Sequence, residues 1–154
     1  MSDETEDAFR ARIVAEALTW QRTKYRHHQR VKGAGVDCLM IIVAVYESVG
    51  AISNIDVPFY QQQFNLHNNE ETYINGILRF AHEVDAPKPG DIVLYRVGRK
   101  FAHAAIVIDW PTVIHAAQGV GVVLEDAEKN AGLTHIDVKG NRQIPRPRKF
   151  FSFW

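Results

Sequence analysis

The stretch GAGVDCLMIIVAVYESVG, residues 33–50, decides the fold, because it joins a glycine-rich approach, the single cysteine of the chain and a long apolar run. The β-branched residues of this run would suit a strand, but its boundaries favour a helix. Asp37 is a good N-terminal cap, and Gly50 stands where a glycine commonly ends a helix. The stretch therefore predicts a buried helix over residues 38–49, with Cys38 as its first residue.

Helical spacing also marks the segments on either side. Residues 6–20 place four apolar side chains on one face and predict a first helix: Phe9, Ile13, Ala17 and Trp20. The following stretch QRTKYRHHQRVKGAGV, residues 21–36, is basic and has no periodicity, which indicates a loop. Residues 69–84 again show helical spacing and predict a third helix, weakened by Gly76.

Beyond APKPGD, residues 86–91, the chain changes to short β-rich segments separated by turns. Four strands are predicted: DIVLYRV (91–97), FAHAAIVID (101–109), TVIHAA (112–117) and VGVVLED (120–126). The segments 134–140 and 146–154 add one or two more. Helices followed by strands predict a single α+β domain with an antiparallel meander sheet of about five or six strands.

Composition excludes some classes of protein and sets the compartment. Lysine and arginine number 18, as do aspartate and glutamate, so the charge gives no support for a nucleic-acid or membrane-surface protein. The longest apolar run is too short to span a membrane. One cysteine forms no internal disulfide, and the acidic start MSDETEDAFR is unlike a secretory signal. We expect synthesis in a reducing cytoplasm, without a signal peptide.

Cys38 has two possible roles. The unpaired N–H groups and the dipole at a helix N-terminus favour negative charge, so a thiol placed there ionises readily and becomes a good nucleophile. Alternatively, Cys38 is a small buried hydrophobic residue, as many lone cysteines are.

Two histidines are placed to serve such a thiol. Strand alternation puts Phe101, His103, Ala105 and Val107 on one face, and His115 follows on the next strand after a turn centred on DWP. Directly opposed residues of an antiparallel pair share a face, so His103 and His115 are predicted to be neighbours, one as a base and the other orienting it. The alternative is a pair of hydrogen-bonded core side chains.

The other histidines give weaker signals. His27 and His28 lie among basic residues, in a solvated loop or at a contact with phosphate or a wall polymer. His67, His82 and His135 are expected at the surface. The sequence holds neither an H-E-x-x-H motif nor a second cysteine, and no glycine-rich phosphate loop follows a strand. No metal and no cofactor are therefore expected.

Four blocks in order carry a resemblance to a known family: YRHHQRVKGAGVDCLMIIVAVY (25–46), PKPGDIVLYRV (87–97), AHAAIVI (102–108) and VIHAA (113–117). From about Trp20 to the carboxyl terminus the chain resembles the NlpC-type cysteine peptidases, in particular their phage and gene-transfer-agent tail branch. The resemblance implies a papain-like α+β fold, with the nucleophile at a helix N-terminus packed on an antiparallel sheet.

The same resemblance implies roles for individual residues. Cys38 matches the nucleophile, His103 the general base and His115 the residue that orients the base. Tyr25 matches an upstream tyrosine that helps to hold the oxyanion or substrate, with packing under the loop as the alternative. Asp37 matches the position before the nucleophile and is interpreted as the helix cap.

Met40 and Ala105 depart from the family pattern, which has smaller residues at these two positions close to the substrate groove. The implied substrate is the peptide stem of bacterial peptidoglycan, commonly its γ-D-glutamyl–diaminopimelate bond. Implied partners are other phage tail proteins, and the implied location is a virion tail acting at the bacterial cell wall. Two alternatives stay open: a structural tail-assembly protein with an inactive peptidase fold, and a thiol amidase or acyltransferase with another substrate.

Overall fold

A computed structural model of the chain describes residues 3–53, 75–76, 78–97, 100–137 and 139–154. In this part of the chain there are two helices, α1 (Glu6–Leu18) and α2 (Met40–Ser48). The strands are β1 (Arg30–Val31), β2 (Gly35–Val36), β3 (His82–Val84), β4 (Ile92–Val97), β5 (Lys100–Asp109), β6 (Thr112–Ala117), β7 (Gly121–Asp126), β8 (Thr134–Asp137), β9 (Arg142–Pro145) and β10 (Arg148–Ser152). The predicted α+β class is confirmed.

The first helix forms where its apolar spacing predicts it. The Thr5 hydroxyl accepts a hydrogen bond from the Ala8 N–H and caps α1, and two acidic residues in the first turn suit the positive end of the helix dipole. Ile13 and Ala17 are buried on the inner face, and Trp20 is buried just beyond the helix.

The second helix is shorter than predicted and begins at Met40, so Cys38 lies in the turn before it and is not its first residue. The end was predicted correctly. Gly50 adopts a φ of 80° and donates to the Glu47 carbonyl at 3.1 Å, while the Ala51 N–H donates to the Tyr46 carbonyl at 2.8 Å. These two bonds satisfy carbonyls of the last turn, and the positive φ favours glycine.

The main sheet has six antiparallel strands in the order β3-β10-β4-β5-β6-β7. Strands β4 to β7 form the predicted meander, but β10 from the carboxyl terminus lies between β3 and β4. The other late segment, β8, pairs with β9 in a separate two-stranded sheet.

The predicted third helix was wrong at its end. Residues 69–74 and 77 lie outside the described residues, and residues 75–76 and 78 are helical. His82–Val84, however, form strand β3 and pair with β10. A strand wins here because β10 offers hydrogen-bond partners for the backbone, which the helical spacing of the local sequence does not reveal.

The predicted loop over residues 21–36 is also more ordered than its sequence indicates. Strands β1 and β2 form a small hairpin within it. Gly33, at the turn, adopts a φ of 80°, which glycine tolerates best. A Cβ on Gly35 would approach Gln29 and would lie 2.9 Å from the Cβ of Arg26, so this glycine allows the loop to fold closely on itself.

Two buried cores lie on the two faces of the main sheet. The larger lies between the sheet and the two helices and includes Ile41, Ile42 and Tyr46 from α2. The smaller is formed mainly by the alternate strand residues of the other face: Val93, Tyr95, Ala105, Val107, Val113, Ala127 and Leu133. Each core strand is therefore covered on both sides, which explains its nearly continuous apolar sequence.

A buried ion pair fixes α1 to the sheet. The Arg10 guanidinium donates to the Asp91 carboxylate at 2.6 Å and to the Ser152 hydroxyl on β10 at 3.0 Å. Asp91 follows Gly90, whose carbonyl accepts from the Tyr46 hydroxyl at 2.8 Å. The PGD block thus joins both helices to the start of β4.

Neither helix of the described residues has the length and apolarity needed to cross a bilayer.

Candidate active site

Asp37 organises the turn that presents Cys38. Its Oδ1 accepts hydrogen bonds from the Leu39 N–H at 3.1 Å and the Met40 N–H at 2.8 Å, and its carbonyl accepts from the Ile41 N–H at 3.1 Å. These are the contacts of a helix cap, as predicted for Asp37. Cys38 therefore lies at the positive end of the helix dipole although regular helix begins at Met40.

Asp37 has a second role that sequence reasoning missed. Its Oδ2 accepts from the His28 backbone N–H at 2.7 Å and lies 3.9 Å from Nδ1 of His27. Asp37 is itself only 1% exposed. His27 and His28 lie in a turn, as the loop interpretation predicts, but both are half-buried and contact Asp37, so this turn is held against the cap of α2. The only sequence signal for these contacts was the location of the two histidines nine and ten residues before Asp37, and this signal is weak.

Cys38 is half-buried and packs against the core between the helices and the sheet. Tyr25 is also half-buried and packs against the same core, and its backbone forms a parallel bridge with Val36, two residues before the cysteine. Tyr25 is thus next to the residues around Cys38, which we call the cysteine loop (residues 36–39). Its packing agrees with the alternative that Tyr25 packs under the loop. Its part in holding an oxyanion stays a prediction.

His103 and His115 lie in direct contact. Nε2 of His103 is 2.8 Å from Nδ1 of His115, and the two rings meet edge to face. The register differs from the predicted one, however, since Ile106 pairs with Ile114 and His115 is thereby diagonal to His103. The contact survives because residues two apart on a strand share a face, and imidazoles are long enough to reach a diagonal neighbour.

The predicted face of β5 is correct for His103, Ala105 and Val107. The pairing of β4 with β5 shifts beyond His103, between Tyr95 and Arg96. The side chain of Phe101 lies outside the described residues. His103 itself pairs with Tyr95, whose ring centroid is 6.3 Å away.

Burial keeps the histidine pair uncharged. Desolvation, and then the neighbouring His115, lower the pKa of His103 to about 3. Desolvation also lowers the pKa of His115, which is 3% exposed, while the Glu125 carboxylate opposes that shift. His103 is therefore a neutral base at neutral pH, which agrees with the role of general base that the resemblance implies for it.

The direction of this hydrogen bond determines which nitrogen of His103 can act as a base. If Nε2–H of His103 donates to Nδ1 of His115, then Nδ1 of His103 carries the lone pair that can accept a proton. In the described part of the chain, Nε2 of His115 has no hydrogen-bond partner. The one hydrogen bond of the His115 side chain is thus the one that orients His103.

One backbone segment connects the histidine strands with the cysteine loop. The Arg22 N–H and the Thr23 carbonyl bond to Val122 on β7, at 3.0 and 2.9 Å. The next residues bond to Val36 through the Lys24 carbonyl and the Arg26 N–H, both at 3.0 Å. This segment, residues 22–26, thus extends from the edge of the main sheet to the residues that precede Cys38.

The segment joins the sheet at the end where the histidines lie. Gly121 begins β7 and pairs with Ala117 at the end of β6, close to His115. A Cβ on Gly121 would lie 2.7 Å from the Thr23 carbonyl oxygen, and its φ is 102°, so a glycine is required for this close approach. The sequence did not single out Gly121, since its reason is a contact with a distant segment.

Met40 and Ala105 were expected close to the substrate groove, and this stays a prediction. Met40, the first residue of α2, is 5% exposed and lies in the larger core, and Ala105 is fully buried in the smaller core. Both side chains therefore contribute to the packing of a core. His82 and His135 are exposed as expected, and His67 lies outside the described residues.

Within the described residues no three histidine, cysteine, aspartate or glutamate side chains form a group that could hold a metal ion.

Comparison with known sequences gives a direct result: the family model described as the NlpC/P60 family matches residues 22–135. The chain belongs to the NlpC/P60 family. The match includes Tyr25, Asp37, Cys38, His103 and His115.

Solved structures with this fold include the NlpC/p60 domain of the peptidoglycan hydrolase SagA. It is 23% identical, with a TM-score of 0.51 over 76% of this chain and 88% of that one. A structure titled as similar to lipoprotein, NLP/P60 family, from Staphylococcus aureus subsp. aureus Mu50 is 17% identical, with a TM-score of 0.54. It covers 95% of this chain, which spans 42% of that protein. A search of the curated proteins gives no match.

Proposed function

We propose that this NlpC/P60 chain is a cysteine peptidase that cleaves an amide bond in the peptide stem of bacterial peptidoglycan. The family supports the enzyme class, and the similar fold of a domain from a peptidoglycan hydrolase supports the substrate class. The observation that carries the proposal is the 2.8 Å contact of His103 with His115, at the end of the sheet that segment 22–26 joins to the cysteine loop.

In the proposed mechanism, Cys38 transfers its thiol proton to Nδ1 of His103 and its sulfur attacks the amide carbonyl. Tyr25 and the backbone N–H of Cys38 hold the oxyanion of the tetrahedral intermediate. His103 then protonates the leaving amine, and water hydrolyses the thioester. His115 holds the His103 ring through the Nε2–Nδ1 contact.

The mechanism requires the thiol and the imidazole to meet at the end of the sheet. Cys38 packs on the side of the helices, whereas the strand neighbours of His103, Ala105 and Val107, face the smaller core. The sheet therefore lies between the thiol and the strand neighbours of His103, so the thiol cannot reach the imidazole through the sheet. We propose that the cysteine loop meets the ring at the end of the sheet where segment 22–26 attaches.

Digestion of purified sacculi tests the proposal. Wild type should release new peptide ends, and Cys38→Ala should release none, because the substitution removes the nucleophile and little else. Mass spectrometry of the muropeptides identifies the bond, for which we propose γ-D-glutamyl–diaminopimelate. The absence of cleavage by folded, reduced wild type on sacculi and on soluble muropeptides would reject the hydrolase.

We also propose that the protein acts from a phage or gene-transfer-agent tail. The resemblance of the four sequence blocks to that branch supports this location. Sedimentation of purified particles followed by immunodetection tests it, with tail-less particles as the control. Detection of the protein only outside the tail fraction would contradict this location. It would not affect the proposed cleavage reaction.

A further inference from the structure

Segment 22–26 carries basic side chains on a fixed backbone. Val122 bonds to it on one side and Val36 on the other, so its main chain is held at both ends. Thr23 is fully buried and Tyr25 half-buried, whereas Arg22, Lys24 and Arg26 are exposed. The inward residues thus anchor the segment and the cations point to solvent. Lys24 and Arg26, two residues apart in an extended stretch, lie on one face.

The aliphatic part of the Arg26 side chain also has a defined position. A Cβ on Gly35 would lie 2.9 Å from both Cβ and Cδ of Arg26, so this side chain lies directly over the glycine. Gly35 precedes Cys38 by three residues, which span at most roughly 10 Å of chain. A stem peptide of a few residues, bound with its scissile amide at Cys38, is long enough to reach these cations.

Ion pairing divides the basic residues of this region into two groups. Arg30 pairs with Glu47 and Lys32 with Glu16, both at 3.0 Å. Among the residues that the structure describes, no carboxylate forms an ion pair with Arg22, Lys24 or Arg26. Residues 21–36 contain no aspartate or glutamate of their own. The unneutralised positive charge is thus concentrated on segment 22–26, beside the candidate nucleophile.

We infer that Lys24 and Arg26 bind the free carboxylates of the stem peptide, and that the protein therefore prefers stems with free carboxylates to amidated stems. This inference rests on the proposed function. Lysine and arginine form charge-assisted hydrogen bonds with carboxylates, and a backbone that is already fixed reduces the ordering cost of binding. Amidation removes the negative charge and keeps the shape of the peptide, so the preference depends on charge.

The test measures binding of two soluble disaccharide tetrapeptides, one with free carboxylates and one amidated at D-glutamate and diaminopimelate. In a Cys38→Ala background, the free acid should bind about tenfold more tightly than the amidated form. The double variant Lys24→Gln/Arg26→Gln should lose this preference. The matched control is Arg30→Gln/Lys32→Gln, which removes the same charge from residues already paired and should change the dissociation constant less than twofold.

Results of binding and of cleavage could each overturn the inference. Equal affinity for the two peptides excludes recognition of carboxylates, and an equal loss of affinity in the control variant excludes a role specific to Lys24 and Arg26. Tighter binding of soluble poly(glycerol phosphate) than of either peptide would make the surface a phosphate site. Cleavage of both peptides at the same rate by wild type rejects the preference and keeps the peptidase, whereas cleavage of neither rejects the proposed function as well.

Discussion

At the scale of single residues, the contact between His103 and His115 separates their proposed roles. With Nε2–H of His103 as the donor to His115 at 2.8 Å, Nδ1 of His103 is the nitrogen that can receive a proton. His115 makes no other side-chain hydrogen bond in the described part of the chain. An amide oxygen can replace Nδ1 of His115 as an acceptor, whereas no other group of this pair can replace the base.

We therefore expect His103→Ala to lower kcat at least about a hundredfold, the contribution of a general base. His115→Asn or His115→Gln should retain part of the activity, within about ten- to a hundredfold of wild type, because an amide still accepts from Nε2–H of His103. The measurement is turnover of a soluble muropeptide, with circular dichroism to confirm folding. Complete loss in both His115 variants, with the fold intact, would contradict the assigned roles.

At the scale of elements, Asp37 links the cap of α2 to the loop before it. One carboxylate oxygen holds two N–H groups of the helix turn, and the other holds the His28 N–H at 2.7 Å. Asp37 therefore fixes the position of Cys38 from both sides. These bonds give Asp37 a structural role at the position that the resemblance places before the nucleophile.

Asp37→Ala should lower the free energy of unfolding by about 1 to 2 kcal/mol, because three N–H groups lose their acceptor. Asp37→Asn should cost less, since the amide oxygen still accepts from the turn. Urea unfolding measures both, and the exposed Asp85→Ala serves as the control. A loss no larger in Asp37→Ala than in Asp85→Ala would show that the cap does not stabilise the fold.

At the scale of the whole molecule, the desolvated pair of half-buried His103 and buried His115 makes folding depend on pH. The pKa of His103 falls from 6.5 to about 3 on folding, and that of His115 is also lowered. Above about pH 6.5 both the folded and the unfolded states are neutral at these positions. Below it the unfolded chain binds protons that the folded chain resists, so stability decreases as the pH falls toward 3.

We expect His103 to account for about 2 to 3 kcal/mol of the stability that wild type loses between about pH 7 and pH 4. His103→Gln should flatten this decrease, because it removes the group that titrates. The measurement is urea unfolding at a series of pH values, with the exposed His135→Gln as the control. A pH dependence identical in wild type and His103→Gln would contradict burial of a neutral ring.

The sequence by itself determined the local features. The cap at Asp37, the glycine end at Gly50, the strands β4 to β7 and the α+β class follow from signals within a few residues, such as side-chain spacing and turn chemistry. His103 shares one face of the strand with Ala105 and Val107, which follows from the two-residue period of a β-strand. These features depend on short-range sterics and hydrogen bonding, which local sequence specifies.

Only the tertiary structure decided what distant segments do to one another. It placed β10 inside the sheet, made β3 a strand, set the diagonal register of His103 and His115, and brought segment 22–26 between Val122 and Val36. Backbone groups at a sheet edge bond to whichever segment the packing of the cores brings beside them, and the local sequence does not carry this information. The candidate site is assembled from such contacts, so the sequence named its residues and the fold determined their arrangement.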